Sequence, residues 1–160
     1  SFAYYKKYVN KKSRLILVGS FFNSAYQYCL EKYIAELGVE DVIFPGHISF
    51  KEILGFYSVA NVFLCMSEHE GFCVPLLEAM LFDVPIVAYA ATAVPETLGG
   101  SGILLKDKDP AKVSFVIDQL VSNEDLRRKV IEKQQQRLED FNLDKLGSAF
   151  MEQIKRISES

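Results

Sequence analysis

Tryptophan is absent from these 160 residues, histidine occurs twice and cysteine three times. The odd cysteine set (Cys29, Cys65, Cys73) excludes a fully paired disulfide framework, and its spacings do not match a zinc module. Reduced thiols in a cytoplasmic protein are the expectation, with Cys65, inside an apolar run, a small buried hydrophobe. His47 and His69 lack partner spacing for a metal. Positive charge is not in surplus: 18 Lys and Arg face 21 Asp and Glu, a net charge of -3. No broad basic face is therefore available for nucleic acid or an anionic membrane, although an anion site made of backbone amides needs no cation. No apolar run reaches the roughly 20 residues of a membrane span. No Gly-x-Gly-x-x-Gly follows the first strand-like run, which disfavours a dinucleotide-binding dehydrogenase. Ser1 to Tyr5 lacks a signal-peptide layout. Phe2, Tyr5 and Val9 repeat with helical spacing and no cap before them, as expected for a segment of a longer chain.

Apolar residues make up 49% of the chain, enough for one domain with a sizeable core, to which most of the Tyr and Phe are assigned. Short apolar runs alternate with amphipathic stretches. Leu15–Val18 reads as a buried strand ending at Gly19; Val42–Phe44, closed by Pro45-Gly46, as a second; Val62–Cys65, Pro85–Ala88 and Gly102–Leu105 as three more. Helices are predicted over Tyr26–Leu37, stopped by Gly38; Phe50–Ser58, capped by Ser49; Pro75–Phe82, with Pro in its first position; and from Asp109-Pro110 to about Ser122. Two further helices end the chain, one lined by Leu126, Val130, Leu138 and Phe141, the other, over residues 142–160, by Leu143, Leu146, Phe150, Ile154 and Ile157. The charges of Arg127, Arg128, Lys129, Glu132 and Lys133 read as solvated surface. The fold class is α/β, a doubly wound parallel sheet in three αβα layers. Ligands of such sheets bind beyond the carboxyl ends of the strands. The loops at Gly19-Ser20, Gly46-His47 and Glu70 all leave such ends.

Glu70 and Glu78, with seven residues between them, bracket the most informative segment. Glu70 precedes Gly71, read as the flexible turn residue, and Glu78 lies early in the next helix. The amides of Val74, Leu76 and Leu77 at that helix start suit a diphosphate. A carboxylate on either side can take hydroxyls. The layout matches a nucleotide sugar. Taken alone, Glu78 fits equally well as a residue that only complements the helix dipole.

The run Glu70-Gly71-Phe72-Cys73-Val74-Pro75-Leu76-Leu77-Glu78-Ala79-Met80 through Asp83-Val84-Pro85-Ile86-Val87-Ala88 resembles the signature of the family 4 retaining glycosyltransferases, in the C-terminal, donor-binding domain of their GT-B fold. Leu17-Val18-Gly19, Val42 to Ile48, Tyr57 to Phe63, Pro95-Glu96, and Gly102 to Leu105 with Asp109-Pro110 agree in order, so the resemblance runs from about Leu15 to about Phe141. It implies that Glu70, the catalytic candidate, meets the donor sugar together with the Gly71, Phe72 and Cys73 backbone. It places Val74 and Leu76 at the phosphates, Glu78 at the ribose and Ile48 at the base. It further implies transfer from a UDP-, GDP- or ADP-sugar to an acceptor hydroxyl with retention and no metal or other cofactor, in polysaccharide or glycoconjugate synthesis. The leaving phosphate would help to deprotonate the acceptor. The acceptor, a glycan or lipid, would be held by an N-terminal domain outside this sequence, which would also set any membrane association.

The chain departs from the pattern in three places. Cys73 and Asp83 stand where glycine is commonest, and the family's Gly-Arg/Lys phosphate clamp has no counterpart here; Lys6, Lys7, Lys11, Lys12 and Arg14 lead into the first strand instead. The chain alone is therefore expected to bind nucleotide weakly and to catalyse little. A sugar-nucleotide epimerase of the same fold and a non-catalytic nucleotide-sugar-binding domain are the alternatives. His47 reads as a surface residue, His69 as a neighbour of the site, Glu96 as a turn cap, and Cys73 as a weak candidate nucleophile.

Overall fold

A computed structural model describes residues 1–19 and 24–158. Ser20, assigned above to a rim loop, and the last two residues of the 142–160 segment lie outside them. The order is α1 (Phe2–Tyr8), β1 (Leu15–Val18), α2 (Ser24–Glu36), β2 (Val42–Gly46), α3 (Phe50–Val59), β3 (Phe63–Cys65), α4 (Val74–Leu81), β4 (Ile86–Tyr89), α5 (Val94–Leu98), β5 (Ile103–Leu105), α6 (Pro110–Ser122) and α7 (Glu124–Leu138). A 3-10 turn (Glu139–Phe141) and α8 (Leu143–Ser158) follow. Every strand pair is parallel, in two blocks: β1 with β2, and β3-β4-β5. Phe63, Leu64 and Cys65 stand opposite Ile86, Val87 and Ala88, and Val87, Ala88 and Tyr89 opposite Ile103, Leu104 and Leu105.

Local chemistry explains the element ends. Ser49 and Glu52 form a reciprocal capping box on α3, the Ser49 hydroxyl accepting from the Glu52 amide and the Glu52 carboxylate accepting from the Ser49 amide. Asp109 caps α6 by accepting from the Lys112 amide, and Asn123 caps α7. Asp83 takes φ +55 just after α4, the left-handed position suggested by its place in the sequence.

The core is concentrated on the three-stranded block. Leu76, Ala79 and Met80 of α4 pack with Ile86, Ala88, Val94 and Leu98 on one face of it. On the other, Val87 and Leu105 pack with Val113, Leu120 and Val130. β4 is buried on both faces, which explains its uninterrupted apolar run. β1, read as buried, is half-exposed: a two-stranded block is too small to enclose it. For the same reason α2 buries none of its residues, and Tyr26, Tyr28 and Tyr33 are surface aromatics rather than core. α8 forms as predicted, but its apolar stripe (Leu143, Leu146, Phe150, Ile154, Ile157) is exposed.

Two long-range polar fixtures hold the three-stranded block in place. Gln134 of α7 is fully buried; its side-chain oxygen accepts from the Ile86 amide and its nitrogen donates to the Val84 carbonyl, both at 2.9 Å. Arg137, one turn on, donates to the Thr97 and Glu96 carbonyls at the end of α5 and stacks over the Phe141 ring. Gly99, the left-handed cap of α5, lies under Arg137: a Cβ there would stand 2.6 Å from its Nε.

Candidate functional site

The loops that leave β3, β4 and β5 meet at the carboxyl edge of the three-stranded block. Lys108, after β5, pairs with Glu68, after β3, at 2.9 Å and lies over the Tyr89 ring at the end of β4. Glu70 is held at its backbone. Its amide donates to Thr92 Oγ1 at 2.8 Å, and the Thr92 hydroxyl donates to the Glu70 carbonyl at 2.9 Å. Two residues on, the hydroxyl of Thr97, a buried residue, donates to the Phe72 carbonyl at 2.7 Å. The Phe72 ring packs edge-on against Phe141. The loop is therefore clamped at two carbonyls while the half-buried Glu70 carboxylate stays out of every ion pair found among the described residues.

The corner into α4 differs from the sequence reading. Gly71 does not take a positive φ; Cys73 does, at +65, as the residue preceding the helix. The left-handed strain thus falls on the residue that stands in for the family's commonest glycine. Pro75 occupies the second helical position, since Val74 is the first. The Leu76 amide, assigned to a phosphate, already donates to the Cys73 carbonyl at 2.9 Å, and Leu76 is fully buried. Val74 is exposed at the helix start.

Glu78 lies on α4, half-buried. The Tyr57 hydroxyl, from α3, donates to Glu78 Oε2 at 2.9 Å, and the Tyr57 ring stacks on Phe82. Burial, then the Glu78 carboxylate, pushes the Tyr57 hydroxyl well above the ordinary tyrosine range, so it stays a donor. Cys73 stands between the two carboxylates: Glu70 acts on its thiol, and Cys73 acts in turn on the Tyr57 hydroxyl that holds Glu78. Burial and the neighbouring Cys65 and Glu70 raise the Cys73 thiol, which keeps it protonated and makes it a poor nucleophile.

Ile48 is half-buried just after β2, which belongs to the other strand block. His69 is exposed beside Glu70, and His47 is exposed after β2. Cavities of about 500 Å³ (Leu104 to Val116) and about 360 Å³ (Gly99 to Asp140) lie elsewhere, and neither is lined by Glu70 or Glu78. Sequence reasoning missed Thr92, Thr97 and the orienting role of Tyr57. Tyr57 was within reach, because it falls on the buried stripe of α3 with Ile53.

Residues 1–137 match the family model described as "Glycosyl transferases group 1". The chain is 39% identical over 84 residues to an MMP alpha-(1->4)-mannosyltransferase from Mycolicibacterium hassiacum, covering 52% of this chain and 20% of that protein. It is 28% identical over 143 residues to the N-acetyl-alpha-D-glucosaminyl L-malate synthase of Bacillus anthracis, covering 86% and 36%. Among solved structures, the C-terminal domain of the LpcC glycosyl transferase from Francisella tularensis superposes with a TM-score of 0.69 at 26% identity, over 86% of this chain and 75% of that one. Anabaena Alr3699/HepE in complex with UDP superposes with a TM-score of 0.79 at 21% identity, over 97% and 43%. The aligned segment spans about a fifth of the mannosyltransferase's length. No helix among the described residues is long and apolar enough to cross a membrane.

Proposed function

The chain belongs to the group 1 glycosyl transferases, and from that premise we propose that it is the donor-binding part of a retaining glycosyltransferase. The carrying observation is the corner itself: a backbone-clamped Glu70 and a Tyr57-oriented Glu78 stand on either side of the α4 N-terminus. In this reading Glu70 accepts hydrogen bonds from the donor sugar, beside the Gly71, Phe72 and Cys73 backbone. The exposed first turn of α4, Val74 foremost, faces the diphosphate, where amides and helix dipole favour negative charge. Glu78 has one oxygen committed to Tyr57 and offers the other to the ribose diol. Ile48 offers its backbone to the base, which requires the β2 loop to face the same ligand. Relatives that are mannosyltransferases, and a neighbour solved with UDP, support a sugar-nucleotide donor and a role in glycan assembly.

Lys108 is held by Glu68 and Tyr89 and is a poor phosphate clamp. Neutralising the leaving diphosphate then falls to α4 and to cations contributed from elsewhere in the enzyme, as does holding the acceptor. This chain by itself is proposed to bind nucleotide weakly and to transfer little. A panel of UDP, GDP and ADP followed by NMR, repeated with Glu78→Ala, tests the reading. One nucleotide is expected to shift amides of residues 70–77 and to lose affinity in the variant. A bound nucleotide indifferent to the substitution removes the ribose assignment, and shifts confined to other surfaces remove the site.

A further inference from the structure

The spacing of the cysteines gave no reason to expect a metal, but the fold brings two of them together with the best-placed carboxylate of the chain. Cys65 ends β3 and Cys73 precedes α4; their Sγ atoms are 3.9 Å apart. A Glu70 carboxylate oxygen and both sulfurs all lie within 4.8 Å of one another. We propose that Cys65, Glu70 and Cys73 form a binding site for a thiophilic divalent cation of the Zn²⁺ class.

The sulfur separation carries the argument. Two thiolates on a tetrahedral Zn²⁺, with Zn–S near 2.3 Å, stand about 3.8 Å apart. The two cysteines meet that spacing without moving, whereas a disulfide, at about 2.05 Å, needs the chain to close by nearly half the gap. The third ligand, a Glu70 carboxylate oxygen within 4.8 Å of both sulfurs, stands on a backbone already fixed by Thr92. The outer shell is also in place. The Leu76 amide lies against Cys73, and Thr97 anchors the Phe72 carbonyl between the ligands. Both thiols are buried, so the cation enters from the Glu70 side, which is half-open, and keeps its fourth position toward the rim. Two thiolates and one carboxylate exclude the hard cations Mg²⁺ and Ca²⁺, which take oxygen ligands. Binding releases the thiol protons to solvent and leaves no net redox change.

Where Glu70 also serves the donor sugar, which rests on the function proposed above, a bound cation takes that carboxylate away. The site would then oppose transfer rather than assist it.

The test uses the Cys29→Ser chain, so that the exposed Cys29 thiol does not compete for the metal. Under a phosphine reductant, Co²⁺ is expected to bind one equivalent, with sulfur-to-cobalt charge transfer and the intense visible bands of tetrahedral cobalt, and Zn²⁺ is expected to displace it. Cys73→Ala should remove about half of the charge-transfer intensity. Glu70→Gln, at a half-open position that threatens no core packing, should keep that intensity and weaken binding by about 100-fold or more, beyond the roughly 10–100-fold that outer-shell changes cost. Absence of thiolate charge transfer overturns the site, and unchanged affinity in Glu70→Gln overturns the three-ligand set. A donor nucleotide sugar that still binds with Zn²⁺ loaded leaves the cation site standing and removes Glu70 from the sugar.

Discussion

Replacing Gln134 with methionine isolates one long-range fixture of the fold. The two side chains have similar length and volume, so packing is nearly conserved. What is lost is the acceptor for the Ile86 amide and the donor to the Val84 carbonyl, each a bond of 2.9 Å to a residue that is itself buried. A buried backbone group left without a partner costs about 1–3 kcal/mol. Two of them amount to roughly 2–6 kcal/mol, a large share of the 5–15 kcal/mol that a domain of this size has in total. The midpoint in urea should fall with unchanged slope, and Tm should drop by roughly 5–15 °C. Gln136→Met, two residues on and exposed, should stay within about 0.5 kcal/mol of the parent. Gln134→Glu, ionised at neutral pH, keeps an acceptor for Ile86 but loses the donor to Val84 and buries a charge, so there it should be at least as damaging. If Gln134→Met unfolds with the parent midpoint, the two backbone groups find other partners and the reasoning fails.

Three further outcomes follow from the same geometry. Asp83→Ala should cost about 1 kcal/mol more than Asp83→Gly in thermal unfolding, because φ is +55 there and only glycine takes it without strain; equal effects would show that the left-handed turn is not maintained. Thr97→Val deletes the hydroxyl that donates to the Phe72 carbonyl and should speed amide exchange across residues 68–73 several-fold, since a net bond of about 1 kcal/mol is roughly a factor of five; unchanged exchange would mean that Thr92 alone holds the loop. The Asp41 carboxyl accepts a hydrogen bond from Lys6, and that bond together with the Lys6 charge holds it below the ordinary value of 3.8. Its folded value being the lower one, the contribution is complete above pH 3.8 and fades as pH falls through the depressed value, so the Tm difference between the parent and Lys6→Met should shrink only on acidification past that point. A difference independent of pH would dismiss the pair.

Features encoded within a few residues were legible in the sequence. The Ser49-Glu52 cap, the Asp109-Pro110 start, the Gly38 stop and the left-handed Asp83 all appear where neighbouring side chains dictate them. The parallel α/β order and the family signature around Glu70 and Glu78 were legible as well. Features that depend on remote partners were not. Gln134 looks like one more polar residue of a charged helix until the fold sets it 48 positions away against Ile86. Thr92 and Thr97 carry no local sign that they will hold a loop more than twenty positions back. Gly71 reads as the flexible turn residue, and nothing in the sequence shows that the left-handed position falls on Cys73, two residues later. The first-turn bond from the Leu76 amide to the Cys73 carbonyl is likewise not visible before the fold is known.

Gly99 lies on the surface, far along the chain from Glu70, and would pass for a freely variable position. Any side chain there displaces Arg137, and Arg137 leads to Phe72 by two routes, one through the Thr97 carbonyl and one through the Phe141 ring. A single added methyl group at an outlying turn therefore presses on the side chain that leads to the Glu70–Cys73 loop. In a mutational scan Gly99 should group with the loop it supports rather than with its exposed neighbours.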